Sequence, residues 1–151
     1  MINKFELIKF GTQSLYIILL SLIFSSIDLS FFTNKCIEKL NQPSKIRTTF
    51  LLMFHHLLAT IANFAWLSTS KIILIIFIIL AIIIFIHWLV NKNKCTVTQK
   101  INKVCGFPND RLFPDFFYII GFKKFKFWNN YGSYIYIILT IIFSIYKLIT
   151  L

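Results

Sequence analysis

The chain has 151 residues, 58% of them hydrophobic and only 14% charged, with a mean hydropathy of +0.77. These values exclude a soluble globular domain of ordinary composition, and four Gly and three Pro leave little room for disorder. The formal charge of +11, from 16 Lys+Arg against 5 Asp+Glu, would suggest a nucleic-acid partner in a soluble chain. Here the cations fall between apolar segments, so they read as contacts with anionic lipid headgroups, and no nucleic-acid partner is expected.

The first fourteen residues carry Lys4, Lys9 and Glu6, and an apolar run follows to Phe32. A signal peptide would also begin this way, but no small-x-small cleavage site follows, so a first span over about residues 13–32 is predicted. Ser14, Ser21, Ser25 and Asp28 are spaced by seven, four and three, which puts them on one helix face turned toward protein. Asp28 lies near the end of the span, where its carboxylate can reach water.

Residues 33–47 form a polar connection in which Pro43 is expected to interrupt any helix. A second span is predicted over residues 48–67, with Thr49, His56, Thr60 and Asn63 sharing a face. Residues 68–71 suffice only for a tight hairpin, which makes the second and third spans antiparallel neighbours.

The third span, residues 72–90, is the strongest signal in the chain: from Ile72 to Val90 the one polar residue is His87. A segment of that length at ~1.5 Å per residue crosses ~30 Å of hydrocarbon. Residues 96–128 are predicted to be interfacial. They hold a short helix over about residues 98–104, stopped by Gly106 and Pro108, and then an apolar stretch at 113–121 too short to span. Lys123, Lys124 and Lys126 alternate with aromatics and, with Trp88 and Trp128, are expected to contact lipid at the interface. A fourth span covers residues 132–149, with Ser133, Thr140, Ser144 and Lys147 on one face.

The fold class is therefore all-α: an integral membrane four-helix bundle in one domain over residues 1–151, with an interfacial, amphipathic segment between helices 3 and 4. The first and third connections hold twelve Lys and Arg against four elsewhere, so the positive-inside rule puts both termini on the non-cytosolic side.

This topology gathers Asp28, His55, His56, His87, Cys95 and Cys105 toward one membrane face as a candidate polar or metal cluster. Three readings compete. Imidazoles and thiolates converging from different helices would make a zinc or haem site, although no CxxC or HExxH is present. Ionisable groups lining a cavity would make an ion or proton path. In the third reading, Ser, Thr, Asn and His join helices by hydrogen bonds while Trp66, Trp88 and Trp128 anchor the interfaces.

The third reading is preferred: a structural or accessory membrane component, with no catalytic residue and no cofactor predicted. Its partners would be the bilayer, other membrane proteins or further copies of itself. His87 is expected to meet His55 or His56 across the hairpin. Cys95 and Cys105 would be bridged in an oxidising lumen, but on the cytosolic face they are expected, with Cys36, to stay thiols.

The succession His55-His56-Leu57-Leu58, His87-Trp88 and Cys95-Thr96-Val97-Thr98 resembles a small family of bacterial membrane proteins of unknown function. In that family a span ends in Cys-Pro-Leu-Thr followed by Glu-Asn. Cys95, Thr98 and Asn102 match the family's Cys, Thr and Asn, whereas Thr96 stands in place of its Pro and Ile101 in place of its acid. The resemblance covers residues 54–104. The blocks 87–95 and 105–110 also resemble proteins of large DNA viruses, and the Ile-, Lys-, Asn-, Phe- and Tyr-rich composition suits an AT-rich genome, viral or organellar. Neither resemblance implies an activity.

Overall fold

The computed structural model describes residues 4–92, 94–108, 111, 116–121, 125 and 127–151. In chain order the helices are α1 (Lys4–Phe31), α2 (Asn34–Ile37), α3 (Gln42–Phe64), α4 (Lys71–Val90), α5 (Thr96–Cys105), α6 (Phe116–Ile119) and α7 (Ser133–Thr150). A 3₁₀ turn at Ala65–Leu67 extends α3, and a π-helical turn at Trp128–Gly132 leads into α7. The protein is all-α among the described residues, and four helices (α1, α3 with its 3₁₀ turn, α4 and α7) are long and apolar enough to cross a membrane.

Two of these helices start earlier than predicted. Residues 4–12 join α1 because Phe5, Leu7, Ile8 and Phe10 continue its apolar surface, while Glu6 in the first turn suits the positive end of the helix dipole. Pro43 starts α3 rather than interrupting it. Asn41 is the N-cap, its side chain accepting from the Ser44 amide at 3.2 Å, and proline in the first turn loses no helical hydrogen bond.

The short helix α5 exceeds its predicted bounds by two residues at the N-terminus and one at the C-terminus. It ends in a Schellman motif: Gly106 takes φ +65°, and the amides of Phe107 and Gly106 reach back to the carbonyls of Asn102 and Lys103. At the start of α7 the Trp128 ring lies on Gly132, where a Cβ would come within 2.6 Å of it.

Within the bundle α1 packs mainly on α3, and α4 mainly on α7. The core is Ala65, Ile73, Phe77, Ala81 and Ile137, and a smaller cluster of Leu52 and Ile101 joins α3 to α5. Large apolar side chains such as Ile23, Ile79, Ile83 and Leu139 remain exposed, on helices long and apolar enough to cross a membrane.

The polar stripes point inward as predicted at Ser21, Ser25, Asp28, His56, Thr60, Thr140 and Ser144, all buried. Their bonding differs from the expectation. Ser25 donates to the Ser21 carbonyl, Ser144 to the Thr140 carbonyl and Thr140 to the Ile137 carbonyl. These hydroxyls satisfy themselves on their own helix, so their contribution between helices is small size.

The helices are tied instead at the end that carries the tight turn. The Ser68 hydroxyl and the amides of Thr69 and Ser70 donate to Gln13 Oε1, and the Ser70 hydroxyl donates to Glu6 at 2.7 Å. Lys147 donates to the carbonyls of Trp66, Leu67 and Ser68, a cation on the negative end of α3. Trp66 Nε1 donates to the Tyr136 hydroxyl at 2.9 Å, so this tryptophan joins α3 to α7 rather than serving only as an interface anchor.

Candidate functional site

At the opposite end of the bundle, Asp28 in the last turn of α1 faces His56 in the middle of α3. Asp28 Oδ2 and His56 Nε2 are 2.9 Å apart, with side-chain exposures of 0% and 1%. The carboxylate therefore does not reach water, as its place near the end of the span suggested. A negative group in the last turn opposes the helix dipole, and with α3 packed across it the imidazole is the partner at hand.

His55 follows a different course because consecutive helical residues diverge by about 100°. Its ring stands edge-on to His56, with centroids 5.4 Å apart, and its Nδ1 lies 3.5 Å from Thr98 Oγ1 and 3.7 Å from Cys95 Sγ. The double histidine thus serves two elements, His56 turning to α1 and His55 to α5.

Helix α5 lies over this pair and is fastened at both ends. Cys95 is its N-cap but makes no side-chain cap bond. His87 supplies the cap: its Nε2 accepts from the Thr96 amide at 3.3 Å and lies 3.1 Å from the Thr96 hydroxyl. The expected contact of His87 with His55 or His56 is replaced by this one, because the α4–α5 turn folds the start of α5 back onto the imidazole. At the far end a disulfide joins Cys36 to Cys105 across 69 residues and holds α2 to α5. This corrects the expectation that Cys36 and Cys105 stay thiols, and the bond differs from the Cys95–Cys105 bridge considered for an oxidising lumen. Cys95 is a free thiol because α5 carries it to the end away from Cys105.

Two positions that shape this end of the bundle were not singled out by the pattern of polar residues. Asn102 is fully buried under α5 and donates to the Arg111 carbonyl at 3.0 Å; Arg111 in turn donates to the Phe32 carbonyl at 3.1 Å and stacks on Phe107. Cys95, Thr98 and Asn102 recur at helical spacing on the α3-facing side of α5. Buried atoms without a hydrogen-bond partner among the described residues include Asp28 Oδ1, His56 Nδ1, Thr60 Oγ1 and Asn102 Oδ1.

Of the six candidate residues, Asp28 with His56 and His55 with Cys95 are brought together, while His87 caps α5 and Cys105 is spent in the disulfide. Among the described residues no group of three or more His, Cys, Asp or Glu is arranged to hold a metal ion. Of the predicted interfacial contacts, Trp88 packs edge-on against Tyr134, and Trp128 packs at a tilt of 42° against Phe117. Lys123, Lys124 and Lys126 lie outside the described residues.

Compared with protein-family models, curated proteins and solved structures, the chain matches none.

Proposed function

We propose that this chain is a multi-pass membrane protein whose Asp28–His56 pair takes up and releases a proton within the bundle, making it a proton-handling component rather than a scaffold alone. The observation that carries this reading is the pair itself: an acid and a base at 2.9 Å, sealed from solvent. Each has a second polar atom, Oδ1 and Nδ1, without a partner among the described residues. An ionisable pair is a costly way to join two helices in lipid, where a single amide or hydroxyl contact contributes about as much. His55, beside His56 and reaching the half-exposed Cys95 and Thr98, supplies a route from the surface toward the pair.

The test is reconstitution into liposomes holding a pH-sensitive dye, with a potassium diffusion potential as the driving force. Proton uptake is expected with the native protein and is expected to fall to the rate of empty liposomes with Asp28→Asn. A native protein that moves no protons would leave a structural or accessory role as the better account. That account is favoured by one feature, the many ties at the hairpin end from Gln13, Glu6 and Lys147.

For topology we propose that the face bearing Cys36 and Cys105 lies in an oxidising, non-cytosolic compartment, with both termini in the cytosol. The count of Lys and Arg favours the reverse. The disulfide outweighs it here because a persistent bond between these cysteines requires an oxidising compartment, whereas the charge rule is a statistical bias on insertion.

A further inference from the structure

The basic residues that argue against this topology have a second use. Between the end of α1, helix α2 and the chain beyond α5 lies an open cleft of about 470 Å³, within the size range of small-molecule sites. Lys35, Lys39 and Arg111 line it, Phe31 and Phe107 wall it, and the Cys36–Cys105 disulfide borders it. Its described lining contains three cations and no acid.

The cleft is organised rather than a chance meeting of surface charges. The Arg111 guanidinium is clamped by the Phe32 carbonyl at 3.1 Å and lies 3.6 Å above the Phe107 ring. The Arg111 backbone is held in turn by the fully buried Asn102. One donor is spent on Phe32, which leaves other N–H groups of the guanidinium for an oxyanion. The disulfide ties α2, which carries Lys35, to the end of α5, from which the chain runs on to Arg111.

The position of the cleft selects its ligand. α1 ends at Phe31, so the cations sit where a membrane-crossing helix leaves the hydrocarbon, at headgroup depth. Phe31 is 80% exposed and continues onto the apolar outer surface of α1, where Leu22 and Ile23 are exposed as well. A ligand that fits has a phosphodiester for the cations and an acyl chain for that apolar wall. Ser30 and Asn34 also line the cleft and can meet headgroup hydroxyls.

We propose that this cleft is a binding site for the headgroup of an anionic phospholipid, with Lys35, Lys39 and Arg111 holding the phosphate and Phe31 flanking the acyl chain. The cations of this face are then committed to lipid recognition, which is why they accompany a disulfide.

Native mass spectrometry of the detergent-purified, oxidised protein with phosphatidylglycerol or phosphatidylcholine tests this directly. Phosphatidylglycerol is expected to be retained in preference. Arg111→Gln and the double variant Lys35→Gln/Lys39→Gln are each expected to weaken retention at least about tenfold, the scale of one lost charge-assisted hydrogen bond. Lys100→Gln, which removes an exposed cation of α5 that does not line the cleft, should leave retention unchanged. Thermal unfolding of each variant shows whether it is folded, and the double variant at two exposed positions keeps the test open if Arg111→Gln unfolds. Equal retention of the two lipids would overturn the proposal. So would a loss with Lys100→Gln matching that with Arg111→Gln, or complete displacement of phosphatidylglycerol by equimolar inorganic phosphate.

Discussion

His87 Nε2 accepts the first free amide of α5, that of Thr96, at 3.3 Å, so a side chain from the end of one membrane-length helix caps a short helix lying beyond it. His87, which interrupts the most apolar run of the chain, is thereby assigned a local structural task. It also lies apart from the Asp28–His56 pair in what it bonds.

If the cap is the role of His87, then His87→Leu should weaken α5 by about 1 kcal/mol, the usual cost of a lost helix cap. Amide exchange at residues 96–99 should quicken while α4 stays protected. Unchanged exchange in α5 would show that the imidazole is dispensable there.

Removing one member of the buried pair should cost more than removing both. Asp28→Leu or His56→Leu alone leaves a desolvated polar group without its partner and should destabilise the bundle by about 3–5 kcal/mol, whereas the double variant should recover much of that loss. Denaturation in detergent measures all three. Additive losses would mean that the two side chains do not interact.

Mass mapping under oxidising conditions should find a Cys36–Cys105 linkage and a single cysteine, Cys95, open to maleimide. Closing a loop of 69 residues stabilises the folded state against a fully unfolded chain by about 4 kcal/mol. Reduction should therefore lower stability by that amount at most, because helices that stay in the membrane are not free chain. A Cys95–Cys105 linkage would contradict the arrangement of α5.

A reporter fused after Leu151 should be active in the cytosol, and a tag near Asn109 should be reached only from the other side. The opposite labelling would restore the orientation favoured by counting Lys and Arg.

The four membrane-length helices were legible in the sequence because hydropathy over about twenty residues overrides local detail. Helix starts were less so. Pro43 reads as a break until Asn41 is seen capping the turn that contains it, and Lys4 and Lys9 mask how apolar the rest of the first turns is. The inward faces followed from spacing, but the partners did not. Helical spacing shows that Asp28 points inward, while its pairing with His56 depends on how far α1 and α3 are offset along each other. Spacing also leaves the cysteine partners undetermined, since Cys36 meets Cys105 only once α5 has folded back over the bundle. Arg111 was invisible as a site residue because its role depends on Phe32 and Phe107, neither of which looks functional in the sequence.

The hairpin joins unequal halves: α3 carries two adjacent histidines and an asparagine, whereas α4 is apolar apart from Lys71 and His87. During synthesis α3 would partition poorly into lipid alone, while α4 would partition without help. The connection at 68–70 is too short for α4 to cross unless α3 crosses in the opposite direction, so the favourable transfer of α4 draws α3 in with it. Until that happens α1 would hold Asp28, near its end, without the imidazole partner. Arrival of the hairpin delivers His56 to that carboxylate. A ribosome stalled before α4 should accordingly leave α3 outside the bilayer and open to aqueous labelling, and release of α4 should carry α3 and α4 into the membrane in one step.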